Sequence, residues 1–280
     1  MTNPAQLRLL ACQINIPLMT QAAERDAHLA RSAALVSDAL EHDHADLVAL
    51  PELSSIDYSR AAFDHLDVLA EPLDGPSFKT WSTVAARHKT HIAYSFARRG
   101  NVGNYITIAV VGPDGALVGH YDKIHLCQYG ASMEKEYFAR GQHLLTFKVN
   151  GITCTPIICY DIRIPELSRA LTITHGVDLI LHCGAYARDE SFATWHDFAT
   201  TRALENQVYF LSLNRAGEQF GNSAFVLPSM GLPDAKTVFQ DHDEDLRYFD
   251  IDAETIARTR ASYTFLSDRL DDYETLEHKT

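Results

Sequence analysis

The chain has 280 residues, enough for one large core or two small ones, and its 46% hydrophobic content is that of a globular protein. Its formal charge of −13 argues against the basic footprint of a nucleic-acid or anionic-membrane binder. No run approaches the roughly 20 apolar residues of a membrane span.

The opening Met1-Thr2-Asn3-Pro4-Ala5-Gln6 has no basic region followed by a hydrophobic one, so no secretory signal is read. The five cysteines (Cys12, Cys127, Cys154, Cys159 and Cys183) are odd in number and scattered, unlike a disulfide framework or a zinc site. Free thiols in a reducing, cytoplasmic compartment are expected.

In chain order, residues 6–16 read as a strand, with Leu10, Cys12, Ile14 and Ile16 on one face. A helix follows through about Leu40, its stripe formed by Leu29, Ala33, Val36 and Leu40. Glu41-His42-Asp43-His44 suits a solvated helix exit better than a metal cluster. Residues 45–50 form a short apolar strand that stops at Pro51-Glu52. Pro76-Ser77 opens a helix through about Lys89, and residues 91–97 form the next strand. Residues 105–111 and 116–121 make a hairpin around Gly112-Pro113-Asp114-Gly115. It runs into Asp122-Lys123-Ile124-His125-Leu126 and a loop carrying Glu134-Lys135-Glu136-Tyr137-Phe138.

Residues 152–158 are a largely apolar strand that meets Cys159, and Pro165 then opens a helix through His175 with Gly176 as its C-cap. Strands at 177–182 and 208–213 flank a helix at 192–205. Further strands at 223–226, 237–239 and 246–251 precede a short helix at 253–260 and an acidic tail from Ser262. No linker, charge boundary or repeat divides the chain. One domain over 1–280 is expected, with its core at about 6–252 and a tail at about 262–280. Interleaved strands and helices with an inserted hairpin give an α/β architecture of mixed sheets covered by helices. The hairpin argues against a (β/α) barrel, whose parallel strands need a helix at each crossover.

A cysteine by itself is most often a buried, inert residue. Here, however, three apolar strands each end on or beside a reactive side chain: Glu52, Lys123 and Cys159. A common sheet edge would bring them together, where open α/β sheets place ligands. A carboxylate can take the thiol proton. An ammonium favours the thiolate and can hold the oxyanion formed when a carbonyl is attacked.

The stretches Leu50-Pro51-Glu52-Leu53, Tyr121-Asp122-Lys123-Ile124-His125-Leu126 and Cys159-Tyr160-Asp161-Ile162-Arg163-Ile164-Pro165-Glu166 occur in that order. They resemble the glutamate, lysine and cysteine motifs of the nitrilase, or carbon–nitrogen hydrolase, superfamily. Thr201-Arg202-Ala203-Leu204-Glu205-Asn206, Asn214-Arg215-Ala216-Gly217 and Gly221-Asn222-Ser223 extend the likeness across residues 6–252. The resemblance implies a four-layer α-β-β-α sandwich that forms a homodimer or larger homo-oligomer and uses no metal or cofactor. It implies hydrolysis of the C–N bond of a small linear amide through a cysteine thioester. Glu52 would be the general base, Cys159 the nucleophile, and Lys123 with the Tyr160 N–H the oxyanion partners. Glu134 matches the family's second glutamate best, with Glu136 as runner-up.

Cys-Tyr-Asp-x-Arg-x-Pro-Glu is similar to the branch holding omega-amidase and related small-amide hydrolases; true nitrilases and carbamoyl-putrescine hydrolases usually carry Trp after the cysteine. Tyr160 and Arg163 therefore favour a small carboxylated amide. Arg163 would either grip that carboxylate or form a salt bridge to Glu166 or Asp161. The resemblance sets His182, Tyr186, Trp195 and His196 at the substrate mouth, though each also suits plain packing, and His125 suits support of its loop. Two positions depart from the family pattern and bear on pocket shape: Leu227-Pro228 in place of Asp-Pro, and Cys183 in place of Pro. The rival readings are an N-carbamoyl amide hydrolase or nitrilase on the same triad, a papain-like pairing of Cys159 with His182 or His196, and a non-catalytic binding homologue. A glycosidase-like pairing of Glu52 with Glu134 ranks last.

Overall fold

The computed structural model describes residues 5–130, 132–231 and 235–279; the reading of the chain start at residues 1–4 lies outside them. The first half comprises β1 (Gln6–Gln13), α1 (Ala22–His42), β2 (Leu47–Ala49), α2 (Arg60–Phe63), α3 (Leu66–Leu69), α4 (Pro76–His88), β3 (His91–Arg99), β4 (Asn104–Val111), β5 (Leu117–Asp122) and α5 (Glu134–Tyr137). The second comprises β6 (Phe147–Val149), β7 (Ile152–Ile158), a 3-10 turn (Cys159–Arg163), α6 (Pro165–His175), β8 (Leu179–Cys183), α7 (Phe192–Asn206), β9 (Tyr209–Leu213), β10 (Ala224–Val226), β11 (Lys236–Val238), β12 (Asp245–Asp252) and α8 (Ala253–Ser262).

The strands form two mixed six-stranded sheets, ordered β12-β1-β2-β3-β4-β5 and β11-β10-β9-β8-β7-β6, not a barrel. Helices α1 and α4 pack together over the first sheet, and α6 and α7 over the second. The parallel strands β7, β8 and β9 are therefore covered on both faces and read as nearly continuous apolar runs. The inner faces meet where Phe225 of β10 stacks on Phe249 of β12, with ring centroids 4.1 Å apart. Gln13 stitches the same seam. Its amide donates to the Gln240 and Asp243 carbonyls at 2.9 and 2.8 Å, and its oxygen accepts from Ser223 N–H and O–H at 3.0 and 2.7 Å. That uses all four of its hydrogen-bonding positions, so burying this amide leaves nothing unpaired.

Local chemistry sets the element ends. Helix α6 starts on Pro165 and stops at Gly176, whose φ of 63° is left-handed. The β4–β5 hairpin turns at Gly115, φ 80°. Strand β1 ends three residues earlier than its alternation suggests, because Asn15 leaves the first sheet to bridge Ala216 beside the second. The pieces α2, α3 and β6 are each only three or four residues long, too short to show a period in sequence. No helix among the described residues is long and apolar enough to cross a membrane.

Candidate active site

The three reactive side chains converge, but not along one sheet edge. Glu52 follows β2 and Lys123 follows β5, with β3 and β4 between them in the first sheet, whereas Cys159 follows β7 of the second. The site is thus built across the sandwich. Leu53, at a left-handed φ of 47°, turns the chain at Glu52, and its N–H donates to Ser95 Oγ at 2.9 Å on β3. Lys123 stays tied to β4 through its N–H to the Ile106 carbonyl at 2.8 Å, and its own carbonyl accepts from Gly141 N–H at 2.9 Å. Gly141 is required there: a Cβ would lie 2.0 Å from the Asp122 carbonyl oxygen.

Lys123 Nζ lies 2.7 Å from Glu52 Oε1 and 2.6 Å from Glu134 Oε1, and all three side chains are wholly buried. Glu136, the alternative second glutamate, lies outside and pairs with Arg60 at 2.8 Å. The two buried carboxylates differ. Both Glu134 oxygens are engaged: Oε1 also accepts from the Tyr58 hydroxyl at 2.7 Å, and Oε2 accepts from Cys127 N–H at 2.8 Å. Glu52 Oε2 is buried and accepts no N–H or O–H among the described residues, which leaves this carboxylate to the Cys159 thiol. Lys123 has likewise spent two of its three N–H groups. One open acceptor and one open donor therefore remain.

Burial and the Glu134 charge push the Glu52 carboxyl up to about 7, against the pull of Lys123. Burial works against the Lys123 ammonium, but Glu134 and Glu52 outweigh it and hold its pKa well above the ordinary value. The Cys159 thiol is raised well above its usual range by burial first and by the Glu52 charge second. Lys123 pulls it down as expected from sequence, but less strongly than burial and the Glu52 charge push it up. Both leading effects favour the protonated sulfur.

Cys159 occupies a left-handed φ of 43° at the head of its 3-10 turn, a conformation that costs a residue with a side chain about 1–3 kcal/mol. Asp161 secures the turn. Its Oδ2 accepts from Ile158 N–H at 2.9 Å and the Tyr121 hydroxyl at 2.7 Å, while Oδ1 accepts from His125 N–H at 2.9 Å and faces His125 Nδ1 at 2.7 Å. One buried carboxylate thereby ties the cysteine turn to both sides of Lys123, a role that sequence reasoning missed. Tyr58 was missed too, since nothing periodic marks its segment.

Beside the sulfur opens a pocket of about 410 Å³, counting the space at its mouth, walled by Tyr58, Cys127, Tyr129, Tyr160, Tyr186 and Asp189 among others. Tyr160 and Tyr186 face it, while Arg163 and His182 are not in its wall. His182 is buried, with Nε2 2.9 Å from the Cys159 carbonyl, to which the Tyr186 hydroxyl also donates at 3.0 Å. Arg163 meets neither Glu166 nor Asp161. It lies 4.3 Å over the Phe198 ring, donates to the Ser191 carbonyl at 3.3 Å, and has no carboxylate partner among the described residues. Trp195 is buried, and His196 bonds the Asn222 carbonyl at 2.7 Å. No histidine is thus bonded to the sulfur, as a papain-like dyad would require.

His120, Asp122 and His143 bring ligand atoms within 4.8 Å of one another. Asp122 is already taken by Arg98, at 3.0 and 2.6 Å, and by Thr107, so a metal there would have to displace a cation. The Glu41–His44 stretch gathers no common centre: Glu41 pairs with Arg87, Asp43 with Arg8 and His44 with Asp46.

Residues 8–261 match the carbon-nitrogen hydrolase family. The chain is 30% identical over 234 residues to 2-oxoglutaramate amidase of Bacillus subtilis, covering 81% of this chain and 86% of that protein. It is 28% identical over 265 residues to omega-amidase NIT2 of Mus musculus, covering 90% and 92%. The crystal structure of XC1258 from Xanthomonas campestris, a CN-hydrolase superfamily protein with an arsenic adduct in its active site, superposes with a TM-score of 0.79 at 27% identity over 95% of this chain and 98% of that one. The chain belongs to the carbon–nitrogen hydrolase family of the nitrilase superfamily.

Glu52 pushes the thiol pKa up and Lys123 pulls it down. Alkylation of Cys159 by iodoacetamide near neutral pH is therefore expected to be slow in the native protein. It should be faster in Glu52→Gln, which removes that opposing charge. Mass spectrometry of the labelled peptide reads both rates; an unchanged rate would show that the sulfur does not feel Glu52, and a slower one that Glu52 serves alkylation as proton acceptor more than as opposing charge.

Proposed function

We propose that this carbon–nitrogen hydrolase is an amidase that cleaves small linear amides through a Cys159 thioester. The observation that carries the reading is the unspent chemistry of the buried cluster: an open carboxylate oxygen on Glu52 and an open N–H on Lys123, both beside one thiol. A non-catalytic homologue would have no reason to keep an unpaired carboxylate oxygen in a closed core, where it is costly.

In the proposed sequence Glu52 Oε2 takes the Cys159 proton as sulfur bonds the amide carbon. The electron pair of the C=O bond moves onto oxygen, which is held by Lys123 and the Tyr160 N–H. On collapse the C–N bond breaks, the departing nitrogen takes the proton from Glu52, and ammonia or an amine leaves a thioester. Water then gives a proton to Glu52 and attacks the same carbon, and the carboxylic acid departs as the thiol is restored. Glu134 keeps Lys123 charged throughout.

For the substrate we favour a small dicarboxylate monoamide such as 2-oxoglutaramate, on the likeness to the Bacillus subtilis enzyme and on the uncompensated Arg163 guanidinium behind Ser191 at the pocket wall. Asp189 lines the same wall but gives one oxygen to Ser191. The five free, buried cysteines suit a cytoplasmic setting.

Cys159→Ala is expected to lower ammonia release by about 10,000-fold or more with the fold intact. The acyl-enzyme trapped on the native protein should be absent from that variant; a fully active variant would refute the assignment. The assay panel covers dicarboxylate monoamides, carbamoyl amino acids and aliphatic nitriles, which separates the amidase from its rivals.

Glu52 must be ionised to act, so kcat/KM is expected to fall as the pH drops below about 7, where its carboxyl takes up a proton. A pH profile flat through that range would exclude Glu52 as the base. Arg163→Gln is expected to raise KM for succinamate about 10-fold while leaving butyramide unchanged. Equal effects on both amides would remove the carboxylate from the recognised substrate.

A further inference from the structure

The carbonyl of the nucleophile is held by an oriented chain of donors. Because a carbonyl only accepts, His182 Nε2 carries the hydrogen of the bond to Cys159 O. The ring is neutral, since burial lowers its pKa to about 4. Its Nδ1 is therefore an acceptor, and the Ser212 hydroxyl 2.7 Å away donates to it. The Ser212 oxygen in turn accepts the Trp195 indole N–H, also at 2.7 Å, and an indole N–H can only donate. Every proton from Trp195 to Cys159 is fixed in one direction.

Tyr186 supplies the second donor to the same carbonyl, at 3.0 Å. Its ring lies flat against Trp195, with centroids 4.6 Å apart and planes at 9°. Its backbone N–H and C=O both bond the Asn214 side chain, at 2.8 and 3.0 Å. Gly184 leaves room for the ring: a Cβ there would lie 2.7 Å from it.

The peptide joining Cys159 to Tyr160 is trans, so its C=O and N–H point in opposite directions within one plane. Fixing the oxygen fixes the N–H. We infer that His182 and Tyr186 are positioning residues that hold the Cys159 carbonyl and so aim the Tyr160 N–H at the substrate oxyanion. The inference rests on the thioester reading above, in which that N–H stabilises the oxyanion. It also gives a use to the left-handed φ of Cys159, because two donors on one oxygen offset that strain only while the peptide keeps this orientation.

The test separates reactions that form a carbonyl oxyanion from one that does not. Tyr186→Phe is expected to lower kcat about 10-fold and His182→Leu about 100-fold, each with KM within about two-fold of native, on the scale of losing an oxyanion donor. The affinity of propionaldehyde, whose carbonyl carbon bonds the Cys159 sulfur while Glu52 takes the thiol proton and the oxygen keeps the charge, should fall in step with kcat. Alkylation of Cys159 by iodoacetamide, a displacement at saturated carbon, should stay within about two-fold of native. His182→Gln keeps an N–H donor and should recover most of the lost rate. If alkylation falls with turnover, the pair only braces the turn and the inference is overturned; an unchanged kcat in both variants overturns it equally. Should His182→Leu not fold, Tyr186→Phe decides, since it keeps the ring on Trp195. A native protein that forms no aldehyde adduct on Cys159 would bring down the thioester reading itself, and this inference with it.

Discussion

Everything in the site depends on one buried ammonium between two buried carboxylates. Removing one partner of such an assembly costs about 3–5 kcal/mol, because the charge left behind is unpaired and away from water. The ion pair is therefore a demand on the fold more than a source of stability. The Glu52 segment, 71 residues away, and the nearby loop that carries Glu134 must both close around Lys123 before its burial is tolerable, and the short distances show that they do.

That demand explains why the groups around the cluster are themselves held by hydrogen bonds. Both Glu134 oxygens are engaged, by Tyr58 and by the Cys127 N–H, so this carboxylate is fixed in place against Lys123. Asp161 has to gather Ile158, Tyr121 and His125, because the cysteine arrives from the other sheet and nothing in either sheet's own ladder fixes its distance from Lys123. A carboxylate that accepts several such bonds is a rigid strut between layers.

The strand ends that carry Glu52, Lys123 and Cys159 were legible in the sequence because an apolar run that halts on a polar side chain leaves a visible edge. The caps at Pro165 and Gly176 and the turn at Gly115 were legible for the same local reason. What lay beyond reading was facing. Period two says that His182 lies on one side of β8, but not that the backbone of Cys159 waits there instead of a substrate. Arg163 is similar: sequence offers it two acidic neighbours, and the turn swings it onto Phe198 instead. Convergence from two sheets also leaves no local mark, since it comes from how the layers stack.

The charge count of the cluster joins its stability to its chemistry. In the proposed sequence the negative charge sits first on the Glu52 carboxylate beside the Lys123 ammonium. Moving the thiol proton to Glu52 shifts that charge to sulfur, and attack shifts it again to the substrate oxygen beside Lys123. At no step is a new charge created in the core; the same one migrates over a few ångströms toward a fixed cation. Creating a lone ion in a medium this poor in water would be prohibitive. Relocating one against a permanent counter-charge is not, and electrostatic catalysis is most effective where the compensating groups are already in place. The raised thiol pKa is then no defect of the nucleophile. Burial raises it first and the Glu52 charge adds to it, so the negative charge stays on Glu52 until a carbonyl is present to receive it.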